Sequence, residues 1–190
     1  MTISTLSTRE KIISAAAALF YGEGIRSTSV DAISAKAGIT KRTLYYHFNS
    51  KDELVEAYLL SRDQPTLDLY KRWFEKTPGS VDKKIEGIFR EFGLAAQSPK
   101  WKGCGFLRTS AELAGTPGHP AIQAGAAHKK KFEAWLRDIL ADGGIDAPDD
   151  AARKILVLLD GAASVMLVHR DATYVDAAGA VAATLASKAR

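Results

Sequence analysis

Two short helical segments separated by three residues are the feature that most constrains how this chain folds. The first segment starts after Thr28 or Ser29 and stops before Gly38, and the second starts after Thr40. Glycine adopts the left-handed backbone that ends many helices, and serine and threonine are favoured N-cap residues. Two short helices joined by so tight a glycine-containing turn are typical of a helix-turn-helix unit.

The remainder of the chain also indicates helices, because alanine is frequent and β-branched runs are few. Three pairs have the spacing of a capping box: Ser7 with Glu10, Ser50 with Glu53, and Thr173 with Asp176. Ser50 starts a long helix toward Glu75, and later helices are expected at about residues 80–97, 106–114, 120–141, 148–169 and 174–189. We therefore predict an all-α fold of about nine helices that begins with a three-helix helix-turn-helix domain.

The charge of the chain is concentrated at its N-terminal end. Residues 1–51 contain seven Lys or Arg against three acids, a net charge of +4, whereas the other residues contain 19 of each sign. A basic segment on a neutral body suggests a polyanionic partner for that segment. Chance clustering on a solvated face is the alternative.

The single cysteine and the hydrophobic pattern bear on the cell compartment. Cys104 has no cysteine partner within the chain, so a reducing compartment is the default expectation. The apolar stretch IISAAAALFY is short and follows Glu10, which favours a helix over a signal peptide. No run approaches the ~18 apolar residues of a membrane span. We therefore expect a cytoplasmic protein.

The second helix of the helix-turn-helix unit has two chemically distinct sides. On a helical wheel Leu44 and Phe48 fall together as anchors. The opposite side and its flank carry Lys41, Arg42, Thr43, Tyr45 and Tyr46. Arginine and threonine contact bases in the major groove, and tyrosine and lysine bind phosphates. This surface suits DNA and supplies no nucleophile–base pair, although a merely solvated polar face remains the alternative.

Residues 12–59 resemble the DNA-binding region of the tetracycline-repressor (TetR) family. The similarity lies in the ALF end of the first helix, in TSVDAISAKAGI and in TLYYHFNSKDEL. The resemblance implies a homodimeric repressor that binds a palindromic operator and is released by a small-molecule inducer. It also implies a DNA-binding domain at residues 1–50 and a ligand-binding and dimerisation domain at 51–190. A regulator without an inducer, constitutive or partner-controlled and acting as an activator, is the alternative.

The resemblance also implies specific DNA contacts by position. Thr28 and Ser29 are expected on phosphate at the start of the second helix, and Lys51 on phosphate at the start of the long helix. Expected on the DNA backbone are Thr40, Lys41, Tyr45 and Tyr46. Nearest the bases are Arg42, Thr43 and Tyr46.

The neutral body contains most of the aromatic residues, and the resemblance implies an inducer pocket among its helices. Candidate lining residues are Trp73, Phe89, Phe92, Phe106, Phe132 and Trp135. Acidic residues are not concentrated among them, so a small apolar or aromatic inducer is expected. The alternative is that these aromatic residues form only the hydrophobic core.

The last two helices are apolar over more than one side. Candidate dimer-interface residues are Leu156, Leu159, Ala163, Met166, Ala178, Val181 and Leu185. The resemblance implies that this pair meets its symmetry mate in a four-helix bundle, an isologous contact. Packing within one chain is the alternative.

A few residues of the body suggest other chemistry. Glu112, His119 and His128, with Cys104, have residue types that bind metals or catalyse reactions. Their spacing is not a recognised ligand set, and three lysines follow His128. The chain has no phosphate loop, nucleophile elbow or paired-carboxylate pattern. We therefore expect no enzyme activity, no cofactor and no metal.

Overall fold

The computed structural model describes residues 6–188, and all regular structure in that range is α-helical. The helices are α1 (Thr8–Glu23), α2 (Val30–Ala37), α3 (Lys41–His47), α4 (Lys51–Lys76), α5 (Val81–Ala96), α6 (Gly105–Glu112), α7 (Pro120–Asp142), α8 (Pro148–His169) and α9 (Thr173–Leu185). The predicted all-α fold with its N-terminal helix-turn-helix is confirmed. None of these helices is long and apolar enough to cross a membrane.

The contacts between residues divide the chain into two compact units. The first unit contains the residues up to Gln64 together with Gly105–Ala126, and therefore α1–α3, the first half of α4, α6 and the start of α7. The second contains Pro65–Cys104 and the residues from Ala127 onward. The predicted domain boundary between residues 50 and 51 stays a prediction.

Local hydrogen bonds explain why the first helices start where they do. The Ser7 hydroxyl accepts the Glu10 N–H at 3.3 Å, and the Glu10 carboxylate accepts the Ser7 N–H at 2.8 Å. This reciprocal pair is the predicted capping box, and both bonds satisfy N–H groups that the helix leaves unpaired. The prediction at Ser50 and Glu53 is half right: Ser50 accepts the Glu53 N–H, but the Glu53 carboxylate accepts the Asn49 N–H instead.

In the first unit, α1 packs on α2 and α2 packs on α3. The buried apolar side chains of these three helices include Ile12, Ala16, Phe20, Ile33 and Leu44. Burial of one such large side chain contributes roughly 1.5–3 kcal/mol. These few anchors therefore hold the short α3 in place.

In the second unit, α9 packs against α5 and α8. At Gly179 of α9 an added Cβ would lie 2.8 Å from the Phe89 Cβ, so this approach requires glycine. Three predicted interface residues are buried within the single chain: Leu159, Ala163 and Met166. Their assignment to a dimer interface stays a prediction.

The remaining predicted interface residues are more accessible. Leu156, Ala178 and Leu185 are half-buried, and Val181 is 52% exposed. Other apolar residues of these helices are also exposed, and one of them, Val157, was missed from the sequence. We call the set Val157, Val168, Tyr174 and Val181 the α8–α9 surface. On each helix its members are spaced so that they fall on one face.

Candidate DNA-binding surface

The turn between α2 and α3 sets the position of α3. Gly38 ends α2 in the left-handed conformation, with φ 68° and ψ 35°. The Ile39 N–H then donates to the Ser34 carbonyl at 3.0 Å, and the Thr40 hydroxyl accepts the Thr43 N–H at 3.1 Å. The glycine thus reverses the chain, and Thr40 starts the next helix within three residues, as predicted.

The two sides of α3 are exposed as the helical wheel predicts. Leu44 and Phe48 are almost fully buried and anchor the helix to the first unit. Tyr46 is 85% exposed, Tyr45 is about half exposed, and Arg42 is exposed. A guanidinium and two phenols therefore lie on the outer side of a helix whose inner side is held rigidly.

Two contacts shape the polar side of α3. The Thr43 hydroxyl lies 2.8 Å from the Thr40 hydroxyl, which holds it beside the N-cap. Thr43 is half-buried. The Lys41 ammonium lies 3.2 Å from the Asp31 carboxylate, and both side chains are largely exposed. Exposed pairs of this kind are worth little in water, so a phosphate can replace Asp31 as the partner of Lys41.

Two residues predicted to contact phosphate, Thr28 and Lys51, form hydrogen bonds within the protein. Thr28 is 1% exposed, and its hydroxyl donates to the Gly24 carbonyl at 2.6 Å, so this side chain supports the α1–α2 turn. The Lys51 ammonium donates to the Ile25 carbonyl at 2.5 Å. The contacts of Thr28 and Lys51 with phosphate stay predictions. Ser29 is exposed and caps α2 by accepting the Ala32 N–H.

The surroundings of Lys51 affect its ionisation. Partial burial lowers the pKa of the Lys51 ammonium, and the carboxylates of Glu112 and Asp52 oppose that shift. Lys51 therefore lies in a partly desolvated cluster at the start of α4. The sequence pattern alone does not reveal this cluster, because Glu112 is far away along the chain.

A small cavity lies in the second unit. It is lined by Thr66, Tyr70, Cys104, His128, Lys129, Phe132, Leu156, Leu159, Asp160 and Ala163. Its volume of about 20 Å³ is close to the space that one water molecule needs. Of the six aromatic residues predicted to line an inducer pocket, only Phe132 borders this cavity.

The other five aromatic residues do not line the cavity. Trp73 and Trp135 belong to a cluster of edge-to-face rings around Tyr70 and Phe132, with centroids 4.8–5.3 Å apart. Phe89 and Phe92 are buried, the former beside Gly179 and the latter 5.9 Å from the Trp101 ring. Phe106 is buried in the first unit.

Polar groups also meet at the cavity. Lys129 forms an ion pair with Asp160, and its ammonium lies 4.0 Å from the Cys104 sulfur. Burial, together with the nearby Cys104 and Asp160, raises the pKa of the Tyr70 hydroxyl, so Tyr70 remains a neutral donor. The cavity is therefore less apolar than the aromatic residues of the sequence suggest.

The residues considered as metal ligands do not come together. Glu112 and His119 belong to the first unit, whereas His128 borders the cavity of the second. Within residues 6–188 no group of three or more His, Cys, Asp or Glu side chains is arranged to hold a metal ion. Glu112 instead accepts two backbone N–H groups, and the His119 Nε2 lies 3.3 Å from an Asp52 carboxylate oxygen.

Comparisons with known proteins agree with this geometry. Residues 12–58 match the family model described as bacterial regulatory proteins, tetR family. The HTH-type transcriptional regulator SrpR of Pseudomonas putida is 43% identical over 96 residues, which are 50% of this chain and 42% of SrpR. The chain thus spans less than half the length of that relative.

Two further relatives are matched over more of their length. TtgW of Pseudomonas putida, an HTH-type transcriptional regulator, is 43% identical over 96 residues, which are 50% of this chain and 67% of TtgW. The crystal structure of a TetR-family transcriptional regulator from Streptomyces coelicolor is 30% identical and has a TM-score of 0.77. That match covers 93% of this chain and 92% of the other. The chain therefore belongs to the TetR family of transcriptional regulators, which are DNA-binding proteins without enzymatic activity.

Proposed function

We propose that the protein is a transcriptional repressor that binds a palindromic operator as a homodimer and is released by a small-molecule inducer. The observation that carries the proposal is the outer side of α3, where Arg42 and Tyr46 are exposed above the buried Leu44. It lies in the basic N-terminal segment of an otherwise neutral chain. We place this activity in the cytoplasm, where the chromosome is accessible.

The contacts divide into those that read sequence and those that position the protein. Arg42, Thr43 and Tyr46 are proposed to reach base edges in the major groove, since a guanidinium and a hydroxyl match the acceptors displayed there. Contacts to the DNA backbone are proposed for Ser29, Thr40, Lys41 and Tyr45. These backbone contacts fix the register of α3 on the duplex but carry little sequence information.

The α8–α9 surface supports the homodimer. Val157 and Val168 lie about three turns apart on one face of α8. Tyr174 and Val181 lie about two turns apart on one face of α9. An exposed apolar face of this kind is costly in water and is suited to a second copy of the same face about a two-fold axis. Two recognition helices then bind half-sites about 34–36 Å apart.

The cavity supports control by a ligand and also constrains it. Lys129, Asp160 and Tyr70 provide polar groups beside the Phe132 ring, a combination typical of small-molecule sites. At about 20 Å³ the cavity must widen to admit an inducer. The inducer therefore favours a more open conformation, and release of DNA follows when that conformation binds the operator less well.

A second candidate function is also compatible with this small cavity. A regulator controlled by a protein partner, or acting constitutively as an activator, needs no cavity larger than one water molecule. The DNA-binding surface is the same in both candidates. They differ only in whether a small molecule changes the affinity for DNA.

Selection of duplexes from a random pool tests the shared part of the proposal. We expect enrichment of an inverted repeat whose affinity falls steeply with salt, because phosphate contacts release counterions. Failure to enrich any sequence, with salt-independent binding, contradicts the proposal.

The ligand is then tested by adding phenol, indole, naphthalene and biphenyl to the complex with the selected duplex. Release by one of them supports the inducer; no release and no thermal stabilisation of the free protein favour the second candidate.

A further inference from the structure

The turn between α1 and α2 is held by a carboxylate from a distant part of the chain. Glu112, the last residue of α6, accepts the Ile25 N–H at 3.0 Å with one oxygen and the Arg26 N–H at 2.6 Å with the other. Both oxygens of one carboxylate thus bind consecutive backbone N–H groups. Hydrogen bonds to a charged acceptor are about twice as strong as those between neutral groups.

Neighbouring side chains hold the same turn from other directions. Arg108, one helical turn before Glu112, donates to the Tyr21 carbonyl at 2.8 Å, and its guanidinium lies 5.5 Å from the centre of the Tyr21 ring. The Lys51 ammonium donates to the Ile25 carbonyl. The backbone of the turn is therefore bonded through both its N–H and its C=O groups.

The glycine at the start of the turn permits this approach. Gly24 has φ 97°, which side-chain-bearing residues rarely adopt, and an added Cβ would lie 3.3 Å from a Glu112 oxygen. Glycine at this position therefore permits both the backbone conformation and the close approach to Glu112. The contact with Glu112 gives a physical reason for glycine at the end of α1.

The turn belongs to helices α1–α3, which pack on one another, so the carboxylate fixes the orientation of these three helices against α6. We infer that Glu112 is a positioning residue that determines which half-site spacing the dimer accepts. The inference rests on the proposed function. A recognition helix held at one angle fits one spacing, whereas a loosely held one adapts to several at a cost in affinity.

The surroundings of the turn argue that Glu112 acts on orientation more than on folding, although Ile25 is buried and its N–H loses its acceptor when the carboxylate is removed. Arg26 is exposed, so its N–H regains water when the carboxylate is removed. The buried anchors Ile12, Ile33 and Leu44 do not depend on this contact. Loss of Glu112 therefore leaves the helices formed and frees the angle between them and α6.

The test uses the full-length protein and the duplex selected from the random pool. Two further duplexes have a central spacer one base pair shorter or longer, which moves one half-site by about 3.4 Å and rotates it by about 35°. Affinities for the three duplexes are measured for the wild type, Glu112→Ala, Glu112→Gln and Arg108→Gln. Glu75→Ala is the matched control, because Glu75 is an exposed glutamate of α4.

The wild type and Glu75→Ala are expected to bind the selected spacing about tenfold or more tightly than the other two spacings. Glu112→Ala is expected to lose about tenfold in affinity for the selected duplex and to distinguish the spacings by less than about threefold. Glu112→Gln, which keeps one acceptor oxygen, and Arg108→Gln are expected to fall between. The salt dependence stays unchanged, because no phosphate contact is removed.

Unaltered spacing discrimination in both Glu112 variants overturns the inference even if their affinity falls. Circular dichroism checks folding, and if Glu112→Ala does not fold, the glutamine variant decides alone. If the wild type enriches no duplex at all, the proposed function has failed, and that result is distinct from failure of the inference.

Discussion

On α3 the polar side chains point outward above a buried anchor, whereas in the second unit the polar pair of Lys129 and Asp160 borders a cavity with room for about one water molecule. Seven consecutive residues make up the first region. The second is assembled from side chains of α4, α7 and α8 and of the segment before α6. A surface built from one helix follows from its periodicity, but a cavity follows only from how distant helices pack.

The largest expected effect concerns the α8–α9 surface. Val181→Glu should convert dimers to monomers, because a carboxylate buried against an apolar symmetry mate loses its hydration without gaining a partner. Light scattering gives the molar mass. Leu94→Glu, at an exposed leucine on another helix, α5, is the control and should remain dimeric. A dimeric Val181→Glu protein would place the interface elsewhere.

Aromatic residues of the two regions should respond differently to truncation. Phe132→Ala is expected to lower the free energy of unfolding by about 3–5 kcal/mol, since it removes a buried ring and enlarges the cavity. Tyr46→Ala should change that free energy by less than about 0.5 kcal/mol, because the ring is exposed. Denaturant unfolding measures both. Similar losses in the two variants would contradict the contrast between the regions.

The helix starts were predictable wherever a single local hydrogen bond decides them. Ser7, Ser29 and Thr40 each accept the N–H expected from their position. The capping box at Thr173 and Asp176 was wrong, because Asp171 accepts both the N–H and the hydroxyl of Thr173. Two acceptors compete for the same donor there, and spacing alone does not show which is nearer.

The residues of the candidate sites also divide into those that a local sequence pattern predicts and those that depend on contacts between distant segments. The exposure of Arg42 and Tyr46 followed from the position of Leu44 and Phe48 on the helix. By contrast, α9 packs on the distant helix α5, and the hydrogen bond from the Ile25 N–H to Glu112 joins residues 87 positions apart. No pattern within one segment predicts contacts of that kind.

A smaller effect tests the local part of the account. Thr40→Ala should lower the free energy of unfolding by about 1 kcal/mol, because the Thr43 N–H at the start of α3 loses its acceptor. Thr40→Ser keeps the hydroxyl and should restore most of that stability. Chemical denaturation of the wild type and the two variants measures the free energy of unfolding. An alanine variant as stable as the wild type would mean that the anchors alone position α3.

The smallest effect separates phosphate contacts from base contacts. Lys41→Ala should reduce the slope of log affinity against log salt by about 1.8, which is about 0.9 for each of two symmetry-related contacts. The preference between the selected and a scrambled duplex should stay the same. Titrations at several salt concentrations measure both. An unchanged slope would show that Lys41 remains paired with Asp31 in the complex.

The most direct measurement of the central claim is the affinity of Arg42→Ala for the selected duplex and for a scrambled one, by fluorescence anisotropy. Arg42 is exposed on α3, so its removal leaves the fold intact. We predict a loss of about 1–3 kcal/mol on the selected duplex and a much smaller loss on the scrambled one, because a base contact carries the difference. Equal affinity of the variant and the wild type for the selected duplex would contradict the assignment of α3 as the helix that reads DNA.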